Sequence, residues 1–332
     1  MPRTTPPRPA DVEAAFPELA RMRRPATRLH PRRGAPTAQD SSVAGPMLWP
    51  AGEPWPVCTL PHRRSSGYRL TDVLQERDIL ARAWQRDPQS GPDDEESTVL
   101  AGFKRGRHAP HLADTDPIPM LAVAQLYRRD VPGLPETGEG EDLLQVFWCP
   151  FEKHGDSRHD PHVHLRWRHL EDVGPLLQEQ PAPEVVGRPE LVPSRCVLHP
   201  EDIVEHPYLS VLPESLQARI DAWEGPEDDD HPQYIYDLST APGWKIGGHI
   251  AWRLTAPQPL TCPECDTELH PLLTVDEREW DPGTASWIPL EDRPHADIMD
   301  ANIPTGVSPG RGRLTIAACP RDASHPISLV TQ

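Results

Sequence analysis

The chain has 332 residues, with 33 Lys+Arg against 51 Asp+Glu and a formal net charge of −18. That acidity argues against a general affinity for nucleic acid or for anionic membrane, because both need a surplus of cations. No apolar run approaches the roughly 18 residues of a membrane span, and the first residues lack the apolar core of a signal peptide. The expected address is the cytoplasm.

The charge is uneven: residues 1–33 hold eight Arg and three acids, a net of +5, which leaves −23 for the rest. The chain also carries 44 Pro, which interrupt helices and sheet interiors and keep elements short. Residues 1–26 read as a basic Pro/Arg-rich N-terminal arm. Within it Val12, Phe16 and Leu19 share an apolar stripe after Asp11 as N-cap, until Pro17 breaks it. Residues 27–171 read as a first sheet-rich half with a helical insertion over 72–105. There Asp72 and Gln75 suit a capping box, and Val73, Leu80 and Trp84 share a face. Ser90 to Glu96 reads as a solvated acidic loop.

Strands are expected at 119–126 and at Leu143 to Trp148. The run from His162 to Arg168 alternates, which turns Val163, Leu165 and Trp167 to the core and His162, His164, Arg166 and Arg168 to water. Residues 172–240 form a Pro-rich bridge with a helix near 213–223. Pro213 opens that helix, Leu216, Ile220 and Trp223 line one side, and the acidic Glu227-Asp228-Asp229-Asp230 follows. Residues 241–332 read as a second half. An internal repeat is expected: Val43-Ala44-Gly45-Pro46, the strand ending at Gln125-Leu126, and Leu144-Gln145-Val146-Phe147 match Lys245-Ile246-Gly247-Gly248-His249, Pro271 to Val275, and Ala285-Ser286-Trp287-Ile288.

With Trp55-Pro56 and Ala122-Val123-Ala124-Gln125, these motifs resemble the YwqG-like family, a bacterial group named as a domain of unknown function. The likeness runs over roughly residues 27–292, with Ala44 in place of a Gly and His249 in place of an aromatic. It implies an α+β, sheet-rich fold with two similar halves. It implies no established activity, and it points to an immunity or accessory factor only by association with members of that kind.

The strongest chemical signal lies near the C-terminus. Cys262-Pro263-Glu264-Cys265 is followed, after 53 intervening residues, by Cys319-Pro320 and then His325. A C-x2-C knuckle plus Cys and His is a standard closed zinc shell, so structural Zn2+ is the expected cofactor. A redox pair or a disulfide is the competing reading; a reducing cytoplasm disfavours the disulfide, and a redox pair needs no third ligand. Cys58 with His62, and Cys149 with His154, have chelating spacing for a second site, against the alternative that these thiols are simply buried hydrophobes. Cys196 has no partner and belongs to the core. The cluster His154, His159, His162, His164 and His169 reads as a solvated or anion-contacting face, since Arg166 and Arg168 would repel a cation.

His199-Pro200-Glu201 before the Cys262 knuckle imitates a zinc deaminase, but Thr261 replaces the required Pro and the gap is long. No P-loop, G-x-G-x-x-G, G-x-S-x-G or H-E-x-x-H motif occurs. The sequence therefore points to a non-catalytic, zinc-stabilised module that binds another protein, with a basic partner as the complement of its acidity. The rival is a metal-dependent enzyme, hydrolase or deaminase-like, with an open zinc site.

Overall fold

The computed structural model describes every residue except 1, 65, 137–139, 153, 155–159 and 226–230. The Asp11 carboxylate accepts from Ala14 N and starts the short α1 (Val12–Ala15), and a 3-10 turn follows at Pro17–Arg21. The stripe Val12, Phe16 and Leu19 is buried against Leu216 and Ile220. Short strands come next: β1 (Arg24–Arg28), β2 (Arg32–Arg33), β3 (Ser42–Val43), β4 (Val57–Cys58) and β5 (Tyr68–Arg69). The insertion holds α2 (Leu70–Arg86) and α3 (Asp94–Gly102).

After β6 (Ile118–Pro119) come three longer strands, β7 (Leu121–Tyr127), β8 (Leu143–Trp148) and β9 (Val163–Arg168). The bridge contributes β10 (Val185–Val186), β11 (Cys196–Val197), β12 (Glu201–Glu205) and α4 (Glu214–Glu224). The chain closes with β13 (Lys245–Gly247), β14 (His270–Asp276), β15 (Arg313–Ala318) and β16 (Ser328–Thr331). With its antiparallel sheets and few helices, the fold is of the α+β class.

Two six-stranded sheets organise these elements, in the orders β2-β11-β3-β7-β8-β9 and β12-β1-β13-β14-β15-β16. Each takes one strand from the opposite side of the chain. β1 pairs with β13 and β12, while β11 pairs with β3 and β2. The links that make these crossings are Leu29-His30-Pro31 and Leu198-His199-Pro200. Leu29 N donates to Trp244 O at 2.8 Å and Leu198 N to Ser41 O at 3.4 Å. One core joins Val123, Leu126, Val146 and Trp148 of the first sheet to Ile246, Leu272, Leu314 and Ile316 of the second.

Like features recur at like places. The β7–β8 ladder shifts register between Ala122 and Ala124, and the β14–β15 ladder between Pro271 and Leu273. Gln125 pairs with Gln145 across one ladder and Thr274 with Thr315 across the other; their side chains meet at 2.8 and 3.1 Å. Ala44 and Gly248, directly after β3 and β13, have φ of 51° and 72°.

Several local expectations change. Residues 1–26 do not stand apart as an arm, for Thr4, Thr5 and Arg8 bond to Glu291, Glu201 and Ser286. Asp72 and Gln75 do not cap α2, which has no side-chain N-cap; the capping box is Asp93 with Glu96, inside the expected acidic loop, and it starts α3. Ala285–Ile288 is not a strand. Asp281 and Thr284 form a reciprocal cap that winds Pro282–Trp287 into a 3-10 helix, and β15 pairs with β14 instead. Arg168 is buried rather than solvated: it bonds Gln145 Oε1 at 2.8 Å and Glu53 Oε2 at 2.6 Å, and lies over Trp49. The acidic loop Glu227–Asp230 lies outside the described residues.

Candidate metal centres

The first cluster comprises Cys58, His62, Cys149 and His154, all buried. Cys58 ends β4, which pairs with β6, and His62 four residues on is held by its N–H donating to Asp114 O. Cys149 directly follows β8 and donates its N–H to His162 O at 3.0 Å. His62 Nε2 lies 3.5 Å from Cys58 Sγ and 3.6 Å from Cys149 Sγ. The edge of a tetrahedron around a metal about 2.3 Å from sulfur and about 2.05 Å from nitrogen is about 3.6 Å. His154 Nδ1 is engaged by Asp160 O at 3.2 Å, while its Nε2 is buried without a hydrogen-bond partner. An orphaned buried nitrogen beside two thiols fits a ligand atom whose ion supplies the missing partner. The Cys58 thiol is pushed strongly down, first by its hydrogen bond with Cys149, and Cys149 is pushed up by the same contact and by burial. One thiolate is thus already favoured.

The second cluster comprises Cys262, Cys265, Cys319 and His325. Thr261 bridges to Glu268, and the knuckle is closed by Cys262 N to Thr267 O at 2.8 Å and Asp266 N to Cys262 O at 3.0 Å. Cys319 directly follows β15. Cys262 Sγ lies 3.3 Å from His325 Nδ1, and Cys265 Sγ 3.5 Å from Cys319 Sγ. Asp322 stands 3.7 Å from His325 Nε2, so the ring is oriented with Nδ1 inward. Hydrogen bonds from Thr267 bring the Cys265 thiol down to about 6. In both clusters the ligand atoms all lie within 4.8 Å of one another, a spacing that could hold a metal ion.

The Cys262, Cys265, Cys319 and His325 set comes together as expected from its spacing, and the structure also brings Cys58/His62 to Cys149/His154 across the helical insertion, a meeting that the spacing alone left open. The two sets also occupy corresponding places. Cys58 and Cys262 each follow a residue paired just ahead of β7 or β14, and Cys149-Pro150 and Cys319-Pro320 each follow the next strand. Of the remaining histidines, His162 is exposed with its ring 5.6 Å from that of His154, and His164 faces Phe147 across the ladder. His159 is outside the described residues. Cys196 is buried in the core. The deaminase-like Glu201 belongs to neither cluster; it accepts from Thr5 and His30.

Sequence reasoning missed a buried ionic seam between the halves. His30, fully buried, lies 3.1 Å from Glu201 and 3.6 Å from Glu279. Arg32 pairs with Asp292, and Arg28 bonds Thr5 Oγ and the carbonyls of Trp287 and Glu279. Lys245 and Glu205 form a second buried pair, with Glu205 also accepting from Ala241 N and His249 N. No local pattern marks the seam: Leu-His-Pro occurs at 29–31 and 198–200 but also at 269–271, where His270 is exposed. No protein family and no curated protein matches the chain. Among the described residues no helix is long and apolar enough to cross a membrane.

Proposed function

We propose that the protein is a non-catalytic binding module whose two halves are each fastened by a structural zinc ion. The observation that carries this reading is that each cluster already offers four protein donors, two sulfurs with two nitrogens and three sulfurs with one nitrogen. A tetrahedral ion so held has no open position for water or substrate. The shared strand order, the two register shifts and the corresponding Cys-Pro turns support an internal duplication, in the manner of the YwqG-like family that the sequence resembles. The partner in this reading is a basic protein of the toxin or accessory kind, drawn by a net charge of −18.

X-ray absorption on protein grown with zinc tests the metal half of the proposal. About two zinc ions per chain, with on average about 2.5 sulfur and 1.5 nitrogen neighbours, are expected. An oxygen neighbour at either ion favours the open-site enzyme instead. The partner half is tested with a basic protein encoded beside this one. Replacing Asp228, Asp229 and Asp230 by Asn should slow its association at low salt, with convergence at high salt. An unchanged rate at both salts assigns this acidic loop to solvation.

A further inference from the structure

A cleft of about 700 Å3 opens between α2 and the segment 292–306, against the end of β2. Its walls are apolar and aromatic: Leu80 and Trp84 come from one face of α2, Trp280 and Met299 from the second half. Leu80 and Trp84 are the residues whose helical spacing marks a buried stripe, yet the buried residues of α2 are Val73, Ile79 and Ala83. Part of the apolar face of α2 is therefore turned to a cavity rather than to core.

Two guanidinium groups stand in this cleft. Arg33 has no carboxylate within ion-pair distance among the described residues. Arg77 donates through one nitrogen to Pro189 O and Gly306 O, both at 2.7 Å, while its other terminal nitrogen is buried with no partner. Burial and the neighbouring Arg33 push Arg77 down to about 10. The adjacent Arg32 is already satisfied by Asp292, so its charge is spoken for. Four carboxylates also line the cleft: Glu190 is engaged by Arg188 and Asp292 by Arg3 and Arg32, while Glu76 and Asp300 have no cation within ion-pair distance among the described residues. Two guanidinium groups placed together, one with a buried unpartnered nitrogen, offer donors to an anion, and the indoles of Trp84 and Trp280 in the lining favour a flat apolar body.

We infer that this cleft binds a small organic anion with a flat apolar body, its carboxylate, sulfonate or phosphate at Arg33 and Arg77 and its ring between Trp84 and Trp280. This site is independent of the metal centres and of any protein partner. The volume is that of an ordinary small-molecule pocket.

The probe is 8-anilinonaphthalene-1-sulfonate, titrated by its fluorescence into the zinc-loaded full chain. Wild-type protein should bind one equivalent, and Arg33→Met should weaken binding about tenfold, the loss of one charge-assisted contact. N-phenyl-1-naphthylamine, the uncharged analogue, should bind wild type and Arg33→Met alike. Ala81→Trp, which fills the cleft one helical turn from Arg77, should abolish the binding of both probes. Arg77→Met is judged only if its near-ultraviolet circular dichroism matches wild type, and it should then resemble Arg33→Met. The inference is overturned if wild type binds no probe, if Arg33→Met binds the sulfonate as tightly as wild type, or if Ala81→Trp leaves binding intact.

Discussion

A histidine shielded from water is neutral when nothing opposite in charge faces it, and the half-buried His249 is such a residue. Its Nε2 donates to Met22 O at 3.0 Å, while burial, with Arg24 and Lys245 nearby, pushes its pKa down to about 3. The unfolded chain takes up that proton near pH 6.5, so the stability His249 contributes is present above pH 6.5. It is lost as pH falls toward 3. Glu201 acts in the same direction lower down: burial raises its pKa, but hydrogen bonds from His30 and Thr5 outweigh it and hold the carboxyl at about 2. Urea midpoints should therefore fall between pH 7 and pH 4.5, and His249→Gln, which keeps a donor for Met22 O, should flatten that fall. An equal slope in the variant assigns the acid sensitivity to other groups. At the metal ligands, Cys265→Ser and Cys58→Ser should each lower the zinc content from about two to about one per chain. Loss of both ions in either variant would mean that the centres are not independent.

At the scale of elements, the β14–β15 ladder carries Thr274 facing Thr315 in the interior. Removing one hydroxyl leaves the other buried and alone, at a cost of about 1–3 kcal/mol, while removing both is close to neutral. The cycle Thr274→Val, Thr315→Val and the double variant should thus be strongly non-additive in chemical denaturation; additive losses would show that the pair does not interact. The turn after β13 is stricter. Gly248 has φ of 72°, and a Cβ there would lie 2.2 Å from Glu205 Oε2, the carboxylate that neutralises Lys245. Gly248→Ala should cost at least about 2 kcal/mol, and a smaller loss would mean that Glu205 has room to move.

These elements were legible to different depths. Local spacing marks the Cys262–Cys265 knuckle and the separate pairs Cys58/His62 and Cys149/His154, because chelation constrains local sequence tightly, but it does not show that those two pairs meet. Apolar period also finds β7, β8 and α4. It fails at Trp287, whose indole is buried by a capped 3-10 turn rather than by a strand, because the Asp281–Thr284 cap dictates the backbone there. It fails again at Arg168, which is buried only because Glu53 and Gln145, distant in sequence, receive it. The ionic seam was invisible for the same reason: nothing local distinguishes a surface His or Glu from one closed over by the other half.

Across the whole molecule, the exchange of β1 and β11 means that each sheet is completed by the other half's chain. Residues 1–171 alone lack β11, and residues 241–332 alone lack β1 and β12. Neither fragment should show the sharp near-ultraviolet dichroism of the full chain, whereas a chain cut at an exposed bridge position, for example after Gln178, should remain assembled on gel filtration. A natively folded, monomeric 1–171 fragment would remove the coupling between the halves.

The same exchange sets a timetable for synthesis. Arg28 pairs with Lys245, a separation of 217 positions, and translation proceeds at about 5–20 residues per second. For roughly 10–40 s the emerging chain exposes an edge of β1 whose partner has not yet been made. A ribosome-bound protein of this design needs either a chaperone at that edge or a temporary strand, and slowing translation between residues 33 and 245 should lower the soluble yield more than slowing it after 250.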